Sequence, residues 1–288
     1  MPGAGEIIAV NYVHNKAKPD GLTLLFATGT PISQLLELPG IDFNLLKMPI
    51  VGGSSESVAA FVRADKTGVR AAPDLLRPKN PMVIGGSGYG SIKDISLLAA
   101  MNLLGVKQFT YVTGYGGAGP IRLAFERGEI NLTQETAVGI SKSILPSVRE
   151  GWTSVLYQVG FLDDQGNVTK DPVWKQMGLE IPSIAEAYKT VHGKPPSGTA
   201  WEAEKALIGE YSLTRIMAFS PAAPGARIAE LQQAYQAMAQ DSAFLTEWEK
   251  SQGAPPRLVR GDEAAKITAS ILKAPKEAAN ILRRLAAP

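Results

Sequence analysis

The amino-acid sequence predicts an α/β protein whose sheets are mainly parallel and flanked by helices. Three observations predict it. Short apolar runs alternate with helix-periodic segments along most of the chain. One of those runs, "LTLLFAT", is continuously apolar, as in a strand covered on both faces. At three places small, flexible residues stand between strand and helix: "ATGTP" (27–31), "GGSGYGS" (85–91) and "TGYGGAGP" (113–120).

In chain order, "EIIAVNYVHNKAK" predicts a helix and Pro19-Asp20-Gly21 a turn. "LTLLFAT" predicts a strand buried on both faces, and "MPIVGG" and "SVAAFVRA" two further strands. "PMVIGG" leads through "SGYGS" into the helix "IKDISLLAAMNLLG", where Ile95, Leu98, Ala99 and Asn102 keep helical spacing. "KQFTYVT" is a strand, "PIRLAFERG" a short helix and "EINLTQ" a strand. "AVGISKSILPSVREG" is a helix interrupted near Pro146, where the missing N–H breaks the ladder. "TSVLYQV" is a strand, "DDQGNVTKDP" a polar turn region and "GKPPSG" (193–198) a linker. A helix around 201–207 precedes the strand "SLTRIMAF". The remainder is mostly helical, with "RLV" as a short strand.

Composition narrows the function classes. The chain has 288 residues, 45% of them apolar and 19% charged, so it can bury a substantial core. A net charge of +2 without a dense Lys/Arg run does not suit nucleic acid. The absence of cysteine excludes disulfides, thiol nucleophiles and zinc-thiolate sites. No apolar run approaches the ~20 residues of a membrane span. The opening "MPGAGEIIAV" has neither a basic n-region nor a cleavable apolar core. His14 and His192 have no metal-ligand neighbour at a useful spacing, so neither a triad nor a zinc site is expected.

The three glycine loops carry the chemistry. In an open α/β sheet such loops lie at the carboxyl ends of strands, where ligands bind. Glycine lets backbone N–H groups turn toward a ligand, and the following helix N-terminus adds partial positive charge. The hydroxyls of Thr28, Thr30, Ser87, Ser91 and Thr113 add donors, so the expected ligand is an anion, carboxylate or phosphate. The same glycines would serve equally for tight βα turns alone. Gly114, Gly116 and Gly119 also spell G-x-G-x-x-G, with Glu135 where a ribose-binding acid would stand; this is the dinucleotide reading, a nucleotide-dependent oxidoreductase. Pro120 and the short helix that follows weigh against it.

Taken in order, "PGAG", "AKPDGLTLLFATGT", "GGSGYGS", "YVTGYGGAGPIRLAFERGEINL" and "MAFSPAAPGARIAELQQAY" resemble the periplasmic solute receptors of tripartite tricarboxylate transporters, the Bug-type receptors, over nearly the whole chain. The resemblance implies a type II periplasmic-binding-protein-like fold of two lobes, each a mainly parallel sheet flanked by helices, with the ligand cleft between the lobes. It implies lobe 1 at 1–64 and 215–288 and lobe 2 at 65–214, with hinges near 62–65 and 213–218. Matched onto it, Gly3, Ala4 and Gly5 form a first ligand loop; Ser87, Gly88, Tyr89, Gly90 and Ser91 a second; Tyr115, Gly117 and Pro120 a third. Glu135 would face a ligand ammonium or hydroxyl, or solvent. The function implied is capture, in the periplasm and as a monomer, of a small di-, tri- or aromatic carboxylate for membrane transporter subunits, with no cofactor, metal, nucleic acid or catalysis. Thr113, Gly114 and Gly116 depart from the family's pattern. The family begins with a signal peptide and further strands before "PGAG". The chain is therefore expected to be an N-terminally shortened receptor, with a non-binding remnant as the alternative reading.

Overall fold

The computed structural model describes residues 6–163 and 165–287. The chain divides into two units, Met1–Glu56 with Gly209–Ala274, and Ser57–Ile208 with Pro275–Pro288. These divisions lie upstream of those expected after residues 64 and 214, and the last helix joins the second unit rather than the first.

The first unit begins with α1 (Ile7–Asn15), β1 (Leu25–Thr28), α2 (Thr30–Leu36) and β2 (Ile50–Ser55). The second runs through β3 (Val58–Arg63), α3 (Ala64–Thr67), β4 (Met82–Gly85), α4 (Ile92–Leu104), β5 (Phe109–Val112), α5 (Ala118–Arg127) and β6 (Leu132–Thr136). Then come α6 (Ala137–Gly139), a π-helical turn at Ile140–Ile144, α7 (Leu145–Arg149), β7 (Thr153–Gln158), β8 (Phe161–Leu162), β9 (Val168–Thr169), α8 (Val173–Gln176), α9 (Ile184–His192) and α10 (Thr199–Ser212). The first unit resumes at Gly209, within α10, and continues with β10 (Arg215–Ala218), α11 (Gly225–Met238), α12 (Ser242–Gln252), β11 (Arg257–Arg260) and α13 (Gly261–Leu272), and α14 (Lys276–Leu285) belongs to the second.

The sheets correct the expectation of mainly parallel pairing. The first unit's sheet has the order β1-β10-β2-β11, and every neighbouring pair is antiparallel. The second unit's sheet, β5-β4-β6-β3-β7, is mixed: β4 is parallel to β5 and β6, while β3 is antiparallel to β6 and β7. The reason is connectivity. Parallel neighbours need a crossover within one sheet, and here the chain leaves each unit and re-enters it, so β10 arrives between β1 and β2 without such a crossover.

Sheet position decides burial. All six residues of β3, inside the five-stranded sheet, are buried. The strand read from "LTLLFAT" lies instead at a sheet edge, and its Phe26 is 61% exposed. Leu25 and Ala27 enter the core formed with Ile7, Val10, Ile216 and Val259. Phe26 pairs with Met217 on the other face, where α11 packs on β2 and β11. The polar run "DDQGNVTKDP" (163–172), read as a plain turn region, instead contains β9 of a small β8–β9 hairpin; the Asp163 carboxylate accepts from the Gln165 and Asn167 backbone N–H groups. The helix expected to break near Pro146 does so through the π turn just before it.

Two carboxyls are buried with incomplete partners. Glu210 of α10 accepts from the Ile32 N–H at 3.1 Å at the start of α2, while its other oxygen has no partner among the described residues. Glu204, on the same helix, has none at either oxygen among them. Burial pushes each carboxyl up from 4.5 to about 8. Between these values the folded chain keeps protons that the unfolded chain releases, so stability is full below about pH 4.5 and declines as pH rises toward 8. Glu204→Gln is therefore expected to raise the melting temperature at about pH 9 and change it little at about pH 4. Thermal denaturation at the two pH values checks this, and equal shifts at both would refute it.

Candidate functional site

Because β4 is parallel to both of its neighbours, the exits of β4, β5 and β6 lie along one edge of the second unit's sheet. Gly85 pairs with Val112, and the Gly86 N–H continues the ladder to the Val112 carbonyl at 2.9 Å. β3 runs the other way, so its start reaches the same edge: Val58 pairs with Thr136, and the Ala137 N–H donates to the Ser57 carbonyl at 2.8 Å. The loops at 86–91, 113–117 and 136–139 are thus brought together by strand direction.

The first of these loops is organised around the protein's own Asp94. Its carboxylate accepts from the Gly88 N–H at 2.8 Å and the Tyr111 hydroxyl at 3.0 Å. Burial raises the Asp94 carboxyl from its ordinary value, while the bonds from Gly88, Tyr111 and Ser87 oppose that rise. Burial and the neighbouring Asp94 charge likewise push the Tyr111 phenol up. A side chain at Gly86 would meet the Asp94 carboxyl carbon at 2.6 Å, so glycine is required there for close approach. The Gly88 amide, expected to face a ligand, faces Asp94 instead. Tyr89 is exposed and stands edge-on to Tyr111, with ring centroids 5.4 Å apart. Gly90 and Ser91 are partly exposed, and the Ser91 hydroxyl makes no capping bond at the start of α4.

The loop before α5 is open. Thr113 is exposed and Tyr115 half-buried; the Gly117 N–H donates to the Tyr115 carbonyl at 2.8 Å. Side chains placed at Gly114, Gly116, Gly117 or Gly119 would meet nothing within 4 Å. The first turn of α5 carries no acidic residue and no side-chain cap. The dinucleotide reading requires the strand after the glycine loop to lie beside the strand before it. Here β4 separates β5 from β6, and Glu135 is turned to other partners.

Those partners are two cations. Glu135, expected at the ligand or in solvent, has a side chain only 8% exposed; its Oε2 lies 3.4 Å from both Lys93 Nζ and Arg122 Nη1. Its Oε1 accepts from the Thr136 N–H at 2.9 Å. The Lys93 and Arg122 side chains are 25% and 29% exposed. The Gln134 amide donates to the Lys93 carbonyl, tying the start of α4 to β6. A side chain at Gly139 would meet Glu135 Cγ at 2.3 Å, so this glycine makes room for the acid. Sequence reading missed Lys93 and Arg122. A signal for Lys93 was present: it is the second residue of α4, where the helix dipole disfavours a cation.

The other sequence-derived residues lie in the first unit or outside the described residues. The N–H and hydroxyl of Thr28 both donate to the Glu6 carboxylate, at 2.6 and 3.1 Å. Thr30 is buried, and its hydroxyl has no partner among the described residues. Gly3, Ala4 and Gly5 fall outside the described residues. Among those described, no three His, Asp or Glu side chains are placed to hold a metal, and no helix is long and apolar enough to cross a membrane.

No protein-family model matches the sequence, and no curated protein matches it. Solved structures do match the fold. A TctC solute binding protein from Polaromonas aligns with 99% of this chain and 84% of its own, at 16% identity and a TM-score of 0.66. A Rhodopseudomonas palustris protein solved with adipate aligns with 96% of this chain and 82% of its own, at 18% identity and 0.62. MatC from the same organism, with bound malate, aligns with 99% and 85%, at 18% identity and 0.55. This chain therefore has the fold of the TctC-type periplasmic binding proteins.

The contact between Gly139 and Glu135 generates a prediction. Gly139→Ala is expected to destabilise the fold by about 1–3 kcal/mol, the usual cost of overpacking. In a double-mutant cycle, Glu135→Ala should relieve most of that loss. Additive effects in chemical denaturation would mean that the two sites are independent.

Proposed function

We propose that the chain is a Bug-type solute receptor, a protein that captures a small organic acid in the periplasm and presents it to membrane transporter subunits without transforming it. One observation carries the reading: on a fold shared with TctC-type receptors, three strand exits and two partly exposed cations meet at one sheet edge. The charge open to solvent there is positive, since Lys93 and Arg122 are partly exposed while Glu135 and Asp94 are buried, and the N-termini of α4 and α5 add partial positive charge. Malate and adipate bound to two structural neighbours support an organic acid as the ligand class. Of the residues singled out by sequence, Tyr89, Ser91, Thr113, Tyr115 and Gly117 keep exposed surface at this edge and are assigned to ligand contact.

Calorimetric titration with malate, adipate, citrate and benzoate tests the reading. Saturable binding of at least one acid, with no thermal shift from NADH, is the expected result; a response to NADH alone would favour the dinucleotide reading. Gly116→Leu adds bulk where nothing stands within 4 Å. It should leave the melting temperature unchanged and weaken acid binding by about tenfold or more, ~1.4 kcal/mol. Unaltered affinity would remove the loop before α5 from the site.

A further inference from the structure

We propose that Lys93 and Arg122 jointly hold one carboxylate of the ligand, with Glu135 as the counter-charge against which that carboxylate competes. The proposal rests on the receptor reading and names the groups that would do the work. Both cations share a single oxygen of Glu135, each at 3.4 Å. Charge-assisted N–H···O bonds settle nearer 2.7–2.9 Å, so this buried acid holds them loosely. An arginine has five N–H donors in a planar fork. Arg122 directs one at Glu135 and has no other hydrogen bond among the described residues; Lys93 Nζ has only the same partner there. Glu135 and Asp94, the acids beside them, are both buried, so the two cations are the charged groups of this cluster that keep exposed surface for an outside anion.

The surroundings favour an anion from outside. Lys93 stands in the first turn of α4, where the helix dipole opposes it, so its position does not serve helix stability. The nearest other acid on that helix, Asp94, is engaged by Gly88 and Tyr111. The arrangement also selects among acids. Both Glu135 oxygens are occupied and its side chain is almost fully buried, so an ammonium group on the ligand finds no free oxygen on Glu135 and faces two cations. The ligand class is therefore an organic acid without an amino group beside the bound carboxylate, rather than an α-amino acid.

The test compares glutarate with glutamate and succinate with aspartate, pairs that differ by one amino group, together with benzoate, by titration calorimetry on the full chain. The unsubstituted protein is expected to bind one of the acids and to disfavour its amino counterpart by tenfold or more. Arg122→Gln and Lys93→Gln should each weaken acid binding by roughly tenfold to a hundredfold, the range for a hydrogen bond to a charged group. Arg127→Gln, on the exposed end of α5, should leave binding unchanged. Glu135→Gln should tighten acid binding several-fold, because it removes the competing charge; a merely structural role would not. Circular dichroism melts establish that each variant folds. If the native chain binds none of the acids, the receptor reading falls and this proposal with it. If the native chain binds but Arg122→Gln and Lys93→Gln bind as well as it does, this proposal alone is overturned. Weaker binding by a folded Glu135→Gln would overturn the counter-charge role.

Discussion

Parallel pairing of β4 with both β5 and β6 is the constraint on which the candidate site depends. Strands that run the same way end at the same edge, so the helices that follow start there with their positive ends toward it. Lys93, Arg122 and Glu135 come from α4, α5 and β6, with the two cations 42 and 13 residues from the acid, and meet because that pairing puts them within a side chain's reach. β3 adds a fourth segment by running antiparallel and beginning where β6 ends. Asn131 supports the pairing from within: its side chain accepts from the Val83 N–H at 2.8 Å and donates to the Pro81 carbonyl at 2.9 Å.

A second theme runs through both units. Loop amides of the kind that bind ligand anions are here engaged by the protein's own carboxyl groups. Glu6 takes the amide and hydroxyl of Thr28, Asp94 the amide of Gly88, and Glu210 the amide of Ile32. Each acid satisfies donors that a strand-to-helix turn leaves without partners. The loop before α5 differs, since its first helical turn carries no acid and its glycines look into open space. That loop and the two cations beside it are where the proposed anion site lies. The proposal moves recognition from the neutral loop donors expected from sequence to charged ones.

Placing acids in this way has a cost elsewhere. Glu204 and Glu210 lie in surroundings that disfavour their ionised forms, and each is held neutral well above the usual carboxylate range. Glu210 has a visible use at the start of α2. Nothing in the structure explains Glu204.

Much of this protein was legible in local sequence. Strand-helix alternation, the glycine loops and the turn residues are short-range signals, and they set most elements because backbone conformation responds to neighbouring residues. The ordered motifs also pointed to the fold now matched by TctC-type structures. Strand direction was not legible: an apolar run reads the same whichever way it pairs, and only chain crossings between units made one sheet antiparallel and the other mixed. Phe26 was misjudged for a similar reason, since its exposure follows from edge position rather than from its own hydrophobicity. The acid–cation cluster was equally hidden. Glu135 was singled out in the linear reading without its partners, and the meaning of Lys93 and Arg122 comes from a side-chain juxtaposition across three elements. The sequence by itself determined which segments became helix, strand and glycine turn, and tertiary structure alone decided which charges meet, because charge pairing depends on distance in space and not along the chain.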